Sequence, residues 1–141
     1  MKPPAVRYAR AGDVREAVAL LAEHGSDAKV LAGGQSLVPL MSFRLARPSI
    51  LVDINRIGGL DRIEQDNGSL LIGAMARQRD VELSDVAAAA VPLLPQALRY
   101  VGHVTIRNRG TVGGSLAHAD PAAELPAVVT ALGGDLVLEG P

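Results

Sequence analysis

Apolar residues recur along the first part of the chain in two rhythms. Val14, Ala17, Val18 and Leu21 repeat at three- and four-residue spacing, which predicts a helix over 13–24. Asp13 and Glu16 open it as an Asp-x-x-Glu variant of the capping box, and Gly25 stands where a left-handed C-terminal cap belongs. Shorter apolar runs have strand length. Residues 6–9 follow Pro3-Pro4 and read as an edge strand, 29–32 as a short buried strand, and 50–54 as a third. A helix is expected over 37–44, with Pro39 tolerated only in its first turn. The order strand, helix, strand, helix, strand predicts a small α/β lobe with parallel pairing over residues 1–55.

A second lobe is expected over 56–141. Runs at 61–65 and 69–74 flank Asp66-Asn67-Gly68, a hairpin signal because Asn-Gly accepts the positive φ of a type I′ turn. Residues 77–91 and 93–101 read as helices separated at Pro92. A further helix is expected over 121–132, with Asp120 as N-cap, Pro121 at its first position and Gly133-Gly134 ending it. Residues 135–139 alternate as a strand would, which leads to the expectation of a partner beyond the end of this sequence.

Two glycine-rich segments interrupt these patterns: Ala32-Gly33-Gly34-Gln35-Ser36-Leu37 and Thr111-Val112-Gly113-Gly114-Ser115-Leu116. Each joins a Gly-Gly pair to a hydroxyl residue. Backbone without Cβ approaches a diphosphate closely, and successive N–H groups in such turns form an anion-binding concavity. Two such segments in one small protein suggest a ligand long enough to need both, such as a dinucleotide. Neither is a GxGxxG fingerprint, which needs a third glycine and a glycine at alternate spacing, or a GxxxxGK[ST] loop, since Lys2 and Lys29 are the only lysines. For residues 33–36 the residues alone serve a tight strand-to-helix turn capped by Ser36 as well as a phosphate cradle. For 111–115 the structural alternative is a loop or bulge where glycine permits close packing. Asp120 suits a ribose hydroxyl or a helix cap equally.

The run from Leu31 through Met41, continuing through Arg44-Leu45-Ala46-Arg47-Pro48 to Leu51-Val52-Asp53-Ile54, resembles the FAD-binding subunit of molybdenum hydroxylases, as does Ile106 through Glu124. That group includes the medium chain of aerobic carbon monoxide dehydrogenase and the flavin domain of xanthine dehydrogenase. The resemblance implies an α+β fold: a two-lobed PCMH-type FAD-binding domain, with a small α/β N-terminal lobe followed by a mixed lobe with antiparallel strands. It implies FAD contacts at Ala32, Gly33, Gly34, Gln35, Ser36 and Leu37, and at Thr111, Val112, Gly113, Gly114, Ser115 and Asp120. It implies no catalytic acid, base or nucleophile and no metal ligand in this chain. It also implies partners: a large subunit with the molybdopterin cofactor and a small subunit with [2Fe-2S] clusters. Electrons would pass from those clusters through FAD to NAD or a quinone. Because the family is longer, the resemblance leads to the expectation that this sequence is truncated at its C-terminus.

Bulk composition narrows the alternatives. The chain has 141 residues, 48% hydrophobic and 21% charged, with formal net charge −1. No basic patch supports nucleic-acid binding. The apolar run 86–98 contains two prolines and is too short to span a bilayer, so a cytoplasmic home is the expectation. With no cysteine, thiolate ligation of an iron–sulfur cluster must fall to another subunit. The aromatic fraction is 2%, so flavin contacts must be mostly backbone or aliphatic. His118 and Asp120 form a His-x-Asp pair without a third ligand, a poor metal site. Neither Ser36 nor Ser115 sits in a G-x-S-x-G elbow. Arg107 and Arg109 could meet phosphates or a partner subunit, with surface solvation the commoner fate. Two other readings stand beside the flavoprotein subunit: a stand-alone oxidoreductase of the vanillyl-alcohol-oxidase-like fold, and a non-catalytic interaction fragment.

Overall fold

A computed structural model describes residues 2–140. The chain divides into two units. One runs to Gly58 and takes in the segment from Val137; the other is Gly59–Leu136.

In the first unit, β1 (Arg7–Arg10), β2 (Ala28–Leu31) and β3 (Ile50–Asp53) form a parallel sheet in the order β1-β3-β2. Helix α1 (Val14–His24) connects β1 toward β2, and α2 (Leu37–Ser42) lies between β2 and β3. All four residues of β3 are buried, as expected of a central strand in a parallel sheet. Strand β2 is an edge: only Ala28 is buried, whereas Lys29 and Val30 are exposed, which corrects the expectation of a buried strand. Asp13 caps α1 by accepting from the Glu16 N–H at 2.8 Å. The reciprocal bond of the capping box falls one residue early, from the Gly12 N–H to Glu16 Oε2 at 2.7 Å. Gly25 has φ 52° but ψ −133°, outside the left-handed helical region, because the chain turns directly into a 3-10 turn over Gly25–Asp27.

In the second unit, β4 (Ile63–Asp66) and β5 (Ser69–Ile72) pair antiparallel, with Asp66 opposite Ser69. Asn67 and Gly68 have φ of 47° and 85°, the two positive values that a type I′ turn requires. Ile63, Leu70 and Ile72 pack on a core of Val81, Ala87, Leu94, Leu98, Val112, Leu125 and Val128. Five helices carry that core, α3 (Gln78–Glu82), α4 (Asp85–Ala90), α5 (Leu93–Leu98), α7 (Val112–His118) and α8 (Glu124–Leu132), while α6 (Val104–Arg107) buries only Arg107. The single helix expected over 77–91 is broken, because Ser84 accepts from the Ala87 N–H at 3.1 Å and restarts the backbone. Helix α8 begins at Glu124, later than expected. Asp120 takes the Ala122 N–H at 2.9 Å in a local turn and so caps no helix; Ala123 is the N-cap. Residues 135–139 form no strand and are exposed.

Arg107 is buried, not solvated. Its Nε donates to Glu82 Oε2 at 2.8 Å, and its Nη1 to the carbonyls of Val101 and Gly102 at 2.8 and 3.0 Å. Arg79 holds Glu82 Oε1 at 2.8 Å. Burial alone would push the Glu82 carboxyl up, but the hydrogen bonds from Arg79 and Arg107 outweigh it and hold the group below its ordinary value. A group lowered in this way stabilises the fold fully above its unfolded value, about 4.3, and loses that contribution as pH falls through its folded value. We predict that Glu82→Gln lowers stability by about 3 kcal/mol at pH 7, because it leaves Arg107 buried without its counter-charge. Urea denaturation of the two proteins at pH 7 and pH 3.5 checks this: the gap should narrow at the lower pH.

Candidate functional site

The parallel sheet ends in one register. Arg10 lies opposite Asp53, and Asp53 opposite Leu31. The first glycine segment leaves the carboxyl end of β2 at that line, the place where open α/β sheets bind ligands. Asp53 is buried there. Its Oδ1 accepts the Asn55 backbone N–H at 2.8 Å and Asn55 Nδ2 at 2.6 Å, and its Oδ2 accepts the Tyr8 hydroxyl. Arg10 stands over the Tyr8 ring, 5.8 Å from its centroid. Burial pushes the Asp53 carboxyl up, but the Tyr8 and Asn55 hydrogen bonds, with the Arg10 charge behind them, overrule it and leave the group below the usual range.

The turn itself is made of donors. Among the described residues, the N–H groups of Gly33, Gly34, Gln35 and Ser36 have no acceptor. Several carbonyls in the same stretch are occupied: that of Gly34 accepts the Val38 N–H at 3.0 Å, and that of Ser36 the Leu40 N–H at 3.1 Å. Gly34 has φ +72°, and a Cβ there would stand 3.2 Å from Val38 Cγ2 and 3.3 Å from Leu31 Cδ1. Ser36 sits at the N-cap position of α2 without capping it; its hydroxyl makes no cap bond. Four successive unpartnered amides with a left-handed residue among them form an anion-accepting concavity. Helix α2 has only six residues, so what the turn offers an anion is chiefly its own N–H groups.

The second glycine segment is organised differently. Thr111 is 2% exposed and caps α7, accepting the Gly114 N–H at 3.1 Å. The Val112 N–H donates to the Ala76 carbonyl at 3.0 Å, that of Gly113 to Ala74 at 2.9 Å, and that of Ser115 to Thr111 at 3.1 Å. The amides of Gly113 and Gly114, expected to be open to a phosphate, are therefore engaged inside the fold. A Cβ at Gly113 would lie 2.6–2.7 Å from Ala74 atoms, so this glycine is required for close packing. Ser115 is half-buried and Asp120 exposed, with Asp120 Oδ1 taken by the Ala122 N–H. The two segments belong to separate units. His118 is exposed, and among the described residues no group of three His, Cys, Asp or Glu side chains is placed to hold a metal.

Asp53 and Asn55 were missed as parts of the site. Asp53 lies within the stretch that carries the resemblance, but nothing in a Val-Asp-Ile-Asn run announces that its side chains turn back to a loop more than twenty residues earlier. Gln35 turns its Nε2 onto the Gly33 carbonyl at 3.0 Å, so that its backbone N–H is the donor it leaves for a ligand.

Comparisons with known proteins bear on this geometry. Residues 4–141 match the family described as the FAD binding domain in molybdopterin dehydrogenase. The chain is 52% identical over 132 residues to the alpha subunit of the 6-hydroxypseudooxynicotine dehydrogenase complex of Paenarthrobacter nicotinovorans, covering 94% of this chain and 45% of that one. It is 45% identical over 141 residues to the carbon monoxide dehydrogenase medium chain of Hydrogenophaga pseudoflava, covering 100% and 49%. A solved carbon monoxide dehydrogenase from Hydrogenophaga pseudoflava, lacking the Mo-pyranopterin moiety of its cofactor, superposes with TM-score 0.89 at 46% identity, over 91% of this chain and 45% of that one. The chain thus spans about half the length of the relatives it matches.

The packing at Gly113 yields a prediction independent of any ligand. Gly113→Ala should lower stability by about 1–3 kcal/mol, because a methyl group there must displace the Ala74 backbone. Thermal unfolding of ligand-free protein checks it; an unchanged midpoint would show that the contact yields freely.

Proposed function

This chain belongs to the family of FAD-binding domains of molybdopterin dehydrogenases, and we propose that its turn at Gly33–Ser36 carries the FAD diphosphate. The observation that carries the reading is the row of four unpartnered amides at the carboxyl end of a parallel strand. These donors suit a doubly charged diphosphate, and the crowding around Gly34 leaves the backbone itself as the surface the phosphates meet. Leu37 and Ala32 flank the contact. In the second segment the reading uses the Ser115 hydroxyl and the Asp120 carboxylate toward the flavin or ribose, with Thr111, Val112, Gly113 and Gly114 as the turn that carries Ser115.

Bound FAD supplies electron-transfer chemistry at its ring system. This chain's residues bind and orient; none of the described side chains is needed as acid, base or nucleophile. Within the same proposal the chain is an electron-transfer part of an oxidoreductase complex in the cytoplasm. A molybdopterin-binding large subunit and a [2Fe-2S] small subunit are its partners, and NAD or a quinone is the acceptor. The absence of cysteine supports clusters held elsewhere, and the family description supports molybdopterin chemistry in the complex. Co-purification of iron and molybdenum with the intact protein tests the partner assignment.

Flavin retention tests the cradle. After incubation with FAD and gel filtration, the wild-type protein should keep near-stoichiometric flavin absorbance. Gly34→Val forces a β-branched side chain into positive φ and against Val38, and should weaken FAD at least tenfold (about 1.4 kcal/mol) with the circular dichroism retained. Equal retention by both proteins would remove the diphosphate from this turn.

A further inference from the structure

Why the first turn leaves its amides unpartnered is answered by what holds its carbonyls, and the inference rests on the diphosphate reading above. A trans peptide plane sets its C=O and N–H in opposite directions, so fixing one carbonyl aims the next residue's N–H. Three carbonyls are fixed in series. Ala32 O accepts Asn55 Nδ2 at 2.9 Å, Gly33 O accepts Gln35 Nε2 at 3.0 Å, and Gly34 O accepts the Val38 N–H at 3.0 Å. The N–H groups that follow, those of Gly33, Gly34 and Gln35, are three of the four left without an acceptor among the described residues.

Two of these ties are local to the turn and α2. The third comes from a residue 23 positions later in the chain. Asn55 is itself fixed, because its backbone N–H and its Nδ2 both reach Asp53 Oδ1 at the buried end of β3, while Tyr8 holds the other carboxylate oxygen. The same Nδ2 lies 3.2 Å from the Leu31 carbonyl. A side-chain amide carries two hydrogens on one nitrogen, here one for Asp53 and one for the β2 end, and brings no charge beside the loop. An aspartate at 55 could donate nothing and would set a second carboxylate beside the first.

We infer that Asn55 is a positioning residue for the FAD diphosphate, aiming the Gly33 N–H through the Ala32 carbonyl and held in place by Asp53 and Tyr8. Asn55 need not touch the ligand in this role.

The test uses the intact protein, with its partner subunits where they co-purify, and compares wild type with Asn55→Ala, Asn55→Ser and Gly34→Val. Three readouts are taken: the FAD dissociation constant from flavin fluorescence, the phosphorus-31 shifts of the bound diphosphate, and the amide resonances of residues 33–36 without FAD. Asn55→Ala should raise the dissociation constant about tenfold, the loss of one or two well-placed hydrogen bonds. It should move the diphosphate signals and shift the Gly33 amide while the Leu51 and Val52 amides stay in place. Asn55→Ser keeps one donor and should fall between. A purely structural role would lower the melting temperature but leave the folded fraction with wild-type affinity and phosphorus signals, which overturns the inference. If Gly34→Val weakens FAD and Asn55→Ala does not, the cradle stands and the role of Asn55 falls. If neither weakens it, the diphosphate reading has failed and takes this inference with it.

Discussion

Peptide planarity is the constraint on which the candidate site depends. A backbone N–H cannot be aimed by itself; it follows the carbonyl of the residue before it. In the turn after β2 the carbonyls of Ala32, Gly33 and Gly34 all have partners, and the amides beyond them do not. The arrangement begins with β3. Four consecutive buried residues fix that strand between β1 and β2, and the common register brings Asp53 level with Leu31. From there Asn55 needs only one residue of chain to reach back to the end of β2. Burial in the sheet, a carboxylate at its end and a half-buried turn with unpartnered amides are thus linked in sequence, and each depends on the one before.

The second unit uses charge for a comparable purpose. Helix α3 is held at both ends to the segment that leads into the second glycine run. The Gln78 N–H donates to the Gly110 carbonyl at 2.9 Å, and Glu82 binds Arg107. A buried ion pair is weak evidence for net stability, since burying two charges costs several kcal/mol before their attraction offsets it. Its effect here is positional. Arg107 also takes the carbonyls of Val101 and Gly102, so one side chain fixes the approach to α6 and the exit toward Gly110.

Local signals proved the most legible part of the sequence. Asn67-Gly68 specified its turn because both residues accept positive φ, and Asp13 specified a helix start because its partner N–H lies three residues away. The parallel α/β order was also readable, because it follows from the alternation of element types. Signals were lost where a polar residue has two local uses. Ser84 falls inside the helix expected over 77–91 until its hydroxyl takes the Ala87 N–H, and Asp120 suits a cap until it turns onto Ala122. Arg107 and Asn55 were illegible for another reason: their partners lie 25 and 23 positions away, and no spacing rule reaches that far.

The two Gly-Gly segments show why motif and mechanism separate. Both present small residues followed by a hydroxyl, and by sequence alone they offer an anion the same thing. In the first, the chain turns before its helix begins, Gly34 takes a left-handed φ, and four amides stay unpartnered. In the second, the glycines already form the first turn of α7; Thr111 caps it, and Ala74 and Ala76 take the remaining donors. There the missing Cβ of Gly113 lets one backbone lie against another, not against a ligand. Glycine licenses close approach in both, but what approaches is decided by where the neighbouring carbonyls point. A diphosphate site in this fold is therefore defined less by its glycines than by the residues that hold the carbonyls away.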